Sequence, residues 1–228
     1  SISAPDLFAG GTITSAGSSA IIGTEHPNAG TIPDPFGTYA PIQNAFAKLV
    51  SNSGTSFSDN PQAVTTLSPG TYSSWNIAGA VTLLPGIYYV NGNISLGSQA
   101  SLSSGSSSGV TLVTSGAFSM NAGAALAISA ATIVGSTNGA IPGVVFASNS
   151  SAGMSFGGNA NTLITGLVYD PNSDVQFGGT AQGRTSGCLE LIARSVTLQG
   201  NSSMASNCGA YGTTIYSSDK APSVKLVQ

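Results

Sequence analysis

Three short segments, MSFGG (154–158), VQFGG (175–179) and VTLQG (196–200), follow one another at steps of 21 residues. They align in columns: Met154, Val175 and Val196 in one, Phe156, Phe177 and Leu198 in the next, Gly158, Gly179 and Gly200 in the third. A period in this range marks a chain built from stacked supersecondary units, because one such unit cannot bury its apolar face alone. Between the columns lie GLVYDP (166–171) and LELIARS (189–195), apolar segments that suit strands. Upstream, Leu112, Ile133 and Met154 keep the 21-residue step, while GVVFAS (143–148) and GLVYDP stand 23 apart. Each period therefore holds at least two short strands and their turns. The pattern predicts an all-β parallel β-helix, or solenoid, with Phe156, Phe177 and Leu198 facing inward. An antiparallel sandwich of many short strands is the main alternative.

The two cysteines fit the same period. Cys188 and Cys208 are 20 residues apart. Residues one coil apart lie on neighbouring strands about 4.8 Å apart, and a disulfide needs a Cα separation of about 4.4–6.8 Å. The spacing predicts a Cys188–Cys208 disulfide, with two buried free thiols as the alternative. A bond would place the chain in an oxidising compartment. Aligning LVYD (167–170) with LIAR (191–194) likewise predicts an ion pair between Asp170 and Arg194 on neighbouring coils.

The remaining chain divides around this array. Residues 1–37 read as irregular N-terminal coils and a linker, with IPDPFG (32–37) as a turn signal. In residues 38–53, Ile42, Phe46, Leu49 and Val50 follow one helical face; Pro41 suits a first turn and Gly54 lies just past the end. This predicts one flanking or capping α-helix. Residues 54–211 form the expected solenoid core, with Pro-Gly turns in LSPGTY (67–72) and LLPGIYYV (83–90). Residues 212–228 read as a terminal strand or tail, able to reach into a neighbouring molecule.

Charge narrows the functional classes. Only 6% of residues are Asp, Glu, Lys or Arg, against about 25% in ordinary soluble proteins. The five cations, Lys48, Arg184, Arg194, Lys220 and Lys225, do not cluster, which argues against a nucleic-acid partner. Hydrophobic residues reach 41% at a net charge of −3, so the chain is not a disordered tail. A surface of Ser, Thr, Asn and Gln fits an extracellular or cell-surface protein, or a periplasmic one. No run of 18 apolar residues forms a membrane segment. The chain starts at Ser1 without a charged leader and reads as a mature or trimmed piece.

Catalytic chemistry finds little to stand on. Asp170, Asn172 and Asp174 form D-x-N-x-D, the opening of a Ca²⁺ loop, but Val175 replaces the turn glycine and Ala181 the bidentate Glu. His26, the only histidine, sits beside Glu25, too few ligands for zinc and the only base a serine triad could use. Asp170 and Asp174 are the one candidate carboxylate pair. No catalytic residue, cofactor or metal is assigned. Thr12-Ile13-Thr14 is a single Thr-x-Thr triplet, where an ice-binding face would need a stack of them.

The order of segments is itself informative: DPF (34–36), LSPGTY (67–72), LLPGIYYVNGNISL (83–96), SGVTLVTSG (108–116), PGVVFAS (142–148), ITGLVYDPNSDVQFGG (164–179) and SGCLELIARSVTLQGNSSMASNC (186–208). Over roughly residues 30 to 210 it resembles the C-terminal region of TadG-like proteins of the tight-adherence (Tad/Flp) pilus system. That resemblance implies a right-handed parallel β-helix outside the cytoplasmic membrane, tied to pilus assembly or adhesion and without catalytic residues. A more distant likeness is to ice-binding β-solenoids, which also carry a helix beside their coils. The expected function is a non-enzymatic extracytoplasmic structural module of a bacterial surface apparatus, a pilus or surface filament. Its partners would be further copies or other pilus and envelope proteins. A glycan- or surface-binding adhesin is the alternative, followed by an ice-binding solenoid or a polysaccharide-acting enzyme.

Overall fold

The computed structural model describes residues 2–14, 20–31, 33–50, 54–105, 109–132, 138–157, 162–178, 188–199, 204–205 and 223–226. The chain opens with β1 (Ile2–Ala9), β2 (Ile21–His26) and α1 (Ala40–Val50). Then come β3 (Thr55–Ser58), β4 (Val64–Leu67), β5 (Gly70–Ile77), β6 (Ala80–Leu83), β7 (Gly86–Val90), β8 (Ile94–Leu96) and β9 (Ser101–Ser104). It continues with β10 (Val110–Thr114), β11 (Phe118–Met120), β12 (Ala125–Ser129), β13 (Val144–Ser148), β14 (Met154–Phe156) and β15 (Thr162–Phe177). The last strands are β16 (Leu189–Leu198), β17 (Met204–Ala205) and β18 (Ser223–Leu226).

All described pairings are parallel, and the expected solenoid is corrected: the sheet closes into an eight-stranded parallel barrel with further strands outside it. The circuit runs β5–β7–β10–β13–β15–β14–β11–β8 and back to β5. Two long strands close it. In β5, Gly70–Tyr72 pair with β7 while Trp75–Ile77 pair with β8. In β15, residues from Leu167 to Tyr169 pair with β13 while Val175–Phe177 pair with β14. The period suggested a turn between such halves. Here the backbone bends but stays extended, and the bend in β15 falls at Pro171, where pairing with β16 shifts register between Asp170 and Asp174. Proline donates no ladder hydrogen bond and sits where a strand bulges.

The spaced columns pair directly. Met154 faces Val175 and Val175 faces Val196; Phe156 faces Phe177 and Phe177 faces Leu198. Phe156 and Phe177 are buried, and Leu198 is partly buried against the core. Their rings stack at 4.9 Å, and Phe118 lies 4.9 Å from Phe156. Each fully buried side chain of this size contributes about 1.5–3 kcal/mol. Outside the circuit, β4, β6, β9 and β12 pair in turn and close one side of the core with Val81, Leu83, Leu102, Leu126 and Ile128.

The helix falls within the expected stretch. Its first turn is closed by Ile42 and Gln43 N–H groups donating to the Tyr39 carbonyl, with Pro41 at a position that needs no donor. Ile42, Ala45, Phe46 and Leu49 are buried while Asn44 and Lys48 are exposed. Eleven residues are too few for a helix to hold alone. Its apolar face packs on the outward side of β10, β13, β15 and β16, against Val113, Ala147, Tyr169 and Ile192. Phe46 stacks on Tyr169 at 6.3 Å, and the Tyr169 hydroxyl donates to Asp34 Oδ2 at 2.6 Å, tying the helix lead-in to the sheet. Both chain ends join the same sheet: β18 lies between β16 and β1, and β2 follows β1. The terminal strand thus has a neighbour on either side within its own chain.

Candidate functional site

In a strand, successive side chains point to opposite faces. In β6, β9 and β12 the inward positions carry the apolar residues just named, and β4 adds Leu67. The outward positions are Val64 and Thr66, Ala80 and Thr82, Ser101 and Ser103, Ala125 and Ala127. Register stacks them into two straight rows: Val64, Ala80, Ser101 and Ala125 form one; Thr66, Thr82, Ser103 and Ala127 form the other, continuing to Leu163. Rows on parallel strands repeat about every 4.8 Å, and positions two apart along a strand lie about 6.6 Å apart. Up to Ala127 no side chain exceeds three heavy atoms, so relief is low, and none is charged or aromatic. Thr82 and Ser103 hydroxyls lie 3.5 Å apart, and Ser103 Oγ donates to the Val81 carbonyl at 3.4 Å. These two hydroxyls are therefore oriented before anything binds. β-Branched Val and Thr have restricted χ1 torsions as well.

This face could not be read from the sequence. The chain steps along one row are 16, 21, 24 and 36 residues, set by loops of unequal length. The sequence offers no stack of Thr-x-Thr triplets, yet threonine, serine and alanine converge through register. Thr12 and Thr14, the one triplet found, lie outside any described strand.

The expected ion pair is corrected. Asp170 faces Ala193, and Leu167 faces Glu190, one residue off the assumed alignment. A one-residue slip sends a side chain to the other face. Asp170 is therefore buried, while Arg194 turns outward to Asp174, with Nη2–Oδ2 2.9 Å and Nε–Oδ1 3.1 Å. Ser195 Oγ donates to Asp174 Oδ1 at 2.6 Å, and Arg194 Nη1 donates to the Asn172 carbonyl at 3.3 Å. The Ser195 and Arg194 bonds hold the Asp174 carboxyl below its usual range. Around Asp170, the Ser173 hydroxyl donates to Oδ2, while Oδ1 has no partner. Burial pushes its carboxyl up to about 6, against weaker opposing effects of Ser173, Ser148 and Arg194.

Asp170 is thus buried and Asp174 exposed, and the Asp174 charge is a minor effect that raises the Asp170 carboxyl. Among the described residues no three His, Cys, Asp or Glu side chains group to hold a metal ion. Cys188 is buried just before β16 and no described cysteine is free; Cys208 lies outside the described residues. His26 and Glu25 fall at the end of β2, paired with Phe8 and Leu7 of β1. No described helix is long and apolar enough to cross a membrane. No protein-family model, curated protein or solved structure matches the chain, and nothing in those comparisons identifies a Tad-type region.

Proposed function

We propose that this chain is a non-enzymatic, extracytoplasmic module that adsorbs to an ordered, uncharged surface, ice, through the face of β4, β6, β9 and β12. The in-register double row carries the reading. A crystalline surface repeats in two directions, and so does this ladder. Short, restricted side chains lose little freedom on contact, so less of the interaction is offset by ordering. Hydroxyls at regular intervals can hold water in matching positions, and methyl groups between them limit competing orientations. Charged side chains would bind water strongly and irregularly; this face has none. Crystalline polysaccharide would call for aromatic rings to stack on sugar faces, and none stands in either row. The sparse charge of the whole chain supports an extracytoplasmic setting. A filament component, suggested by segment order, has less support, because β18 is paired on both sides within the chain.

The test is partition into slowly growing ice. The parent protein should concentrate in the solid, and Thr82→Lys, which puts a hydrated charge in the middle of one row, should remain in the liquid. Exclusion of the parent, or equal partition of both, would overturn the reading.

A further inference from the structure

Away from the double row, the chain turns a corner between β7 and β8 at Asn91-Gly92, one of its two Asn-Gly steps with Asn138-Gly139. Asn91 is exposed and Gly92 half-buried. The Ser115 hydroxyl, from the matching corner between β10 and β11, donates to Asn91 Oδ1 at 3.0 Å. The Asn91 N–H donates to the Tyr72 carbonyl at 2.8 Å, and the Gly92 carbonyl accepts from Thr114 Oγ1 at 2.8 Å. Among the described residues no backbone carbonyl accepts from the Gly92 amide. Exposed Asn44, Asn121 and Asn149 are followed by Ala45, Ala122 and Ser150, whose Cβ atoms crowd the next amide; glycine has none.

We propose that Asn91 is a self-modification site, deamidated through a succinimide formed with Gly92. The Gly92 backbone nitrogen attacks Asn91 Cγ and gives its proton to solvent. The new N–Cγ bond closes the ring, the Cγ–Nδ2 bond breaks, and the amide nitrogen takes up a proton and leaves as ammonia. Negative charge develops on Oδ1 during the attack, where the Ser115 hydroxyl is already aimed to stabilise it. Water then opens the ring. Opening at Cγ gives aspartate; opening at the backbone carbonyl gives isoaspartate, with the chain running through the former side chain. One water enters and one ammonia leaves, without oxidant or reductant. The isoaspartyl product lengthens a backbone that has little room: a Cβ on Gly92 would stand 2.5 Å from the Ser73 carbonyl oxygen, and the Trp75 N–H donates to the Asn93 carbonyl at 2.9 Å.

The experiment is incubation of the full chain in mildly alkaline buffer, followed by intact mass and peptide mapping. The mass gain of an acid replacing an amide should appear in the peptide holding Asn91, and faster as pH rises, because the attacking nitrogen reacts deprotonated. Asn91→Gln, an exposed change whose ring would be one atom larger, should lose that gain and keep its melting temperature. Ser115→Ala should slow it several-fold, the worth of one hydrogen bond to the reacting amide. Asn91→Asp should melt close to the parent, and the isoaspartyl fraction of aged protein should melt lower. No gain at Asn91, a gain confined to Asn138 or to an asparagine without a following glycine, or an unchanged rate in Ser115→Ala overturns the proposal. An isoaspartyl fraction that melts with the parent overturns the claim that this corner is tight.

Discussion

Asp170→Asn is the substitution whose consequences can be worked furthest. Asp170 is fully buried at the bend of β15, with the Ser173 hydroxyl on Oδ2 and no partner on Oδ1. Burial raises its carboxyl from 3.8 to about 6. The native state therefore holds the proton more tightly than the unfolded chain. Protein stability from this group is fully present below about pH 4 and is lost as pH rises to about 6, with little change beyond. One pK step equals about 1.36 kcal/mol, so the ionised form costs the fold about 3 kcal/mol at neutral pH. Asparagine has nearly the same shape and does not titrate. Whatever fixed offset it brings by altering the Ser173 and Ser148 hydrogen bonds should not vary with pH. Urea unfolding of parent and variant at pH 3.5, 5 and 7.5 isolates the effect, because every other carboxylate is common to both. The variant should gain about 3 kcal/mol relative to the parent between the lowest and highest pH. A difference that stays constant across the series, or one that moves against the variant, would refute the buried-acid account.

Three further outcomes are expected. Phe156→Ala, which empties the middle of the stack with Phe118 and Phe177, should cost about 3–5 kcal/mol in chemical denaturation; under about 1 kcal/mol would mean the column does not carry the core. Arg194→Gln, removing a pair whose side chains are half exposed, should cost less than about 1 kcal/mol, and high salt should abolish even that difference. Intact-mass analysis under non-reducing alkylation should leave Cys188 and Cys208 unmodified if they are bonded to each other, and closing that loop should contribute about 3 kcal/mol; two alkylated thiols would remove both the bond and the argument for an oxidising compartment.

What the sequence made legible follows from period. Where strands repeat at 21 residues, as from Met154 to Val196, the columns pair as spacing requires, since equal loops carry register from one unit to the next. The helix was legible because Ile42, Phe46 and Leu49 mark one face at helical spacing and that face needs a sheet. Closure of the barrel was not, because it depends on β5 and β15 continuing through bends that look like turns in the sequence. The Asp170–Arg194 pairing failed by one residue: between Asp170 and Asp174 four chain steps on β15 oppose two on β16, and no local pattern shows where such slack is taken up. The double row was hidden for the same reason. Its neighbours are 16, 21, 24 and 36 residues apart, and small residues such as Ala80 or Ser101 carry no signal until register places them side by side.

The most direct test is to watch where the molecule sits on ice. Single ice crystals grown in fluorescently labelled protein should take up the parent on defined planes. Asn76→Lys, on an outward position of β5 away from the double row, should label the same planes with the same intensity. Thr82→Lys and Ser103→Lys, in one row of the face, should leave the crystal dark while melting as folded proteins. An unlabelled crystal with the parent, or labelling that survives both face variants, would contradict the claim that this face binds ice.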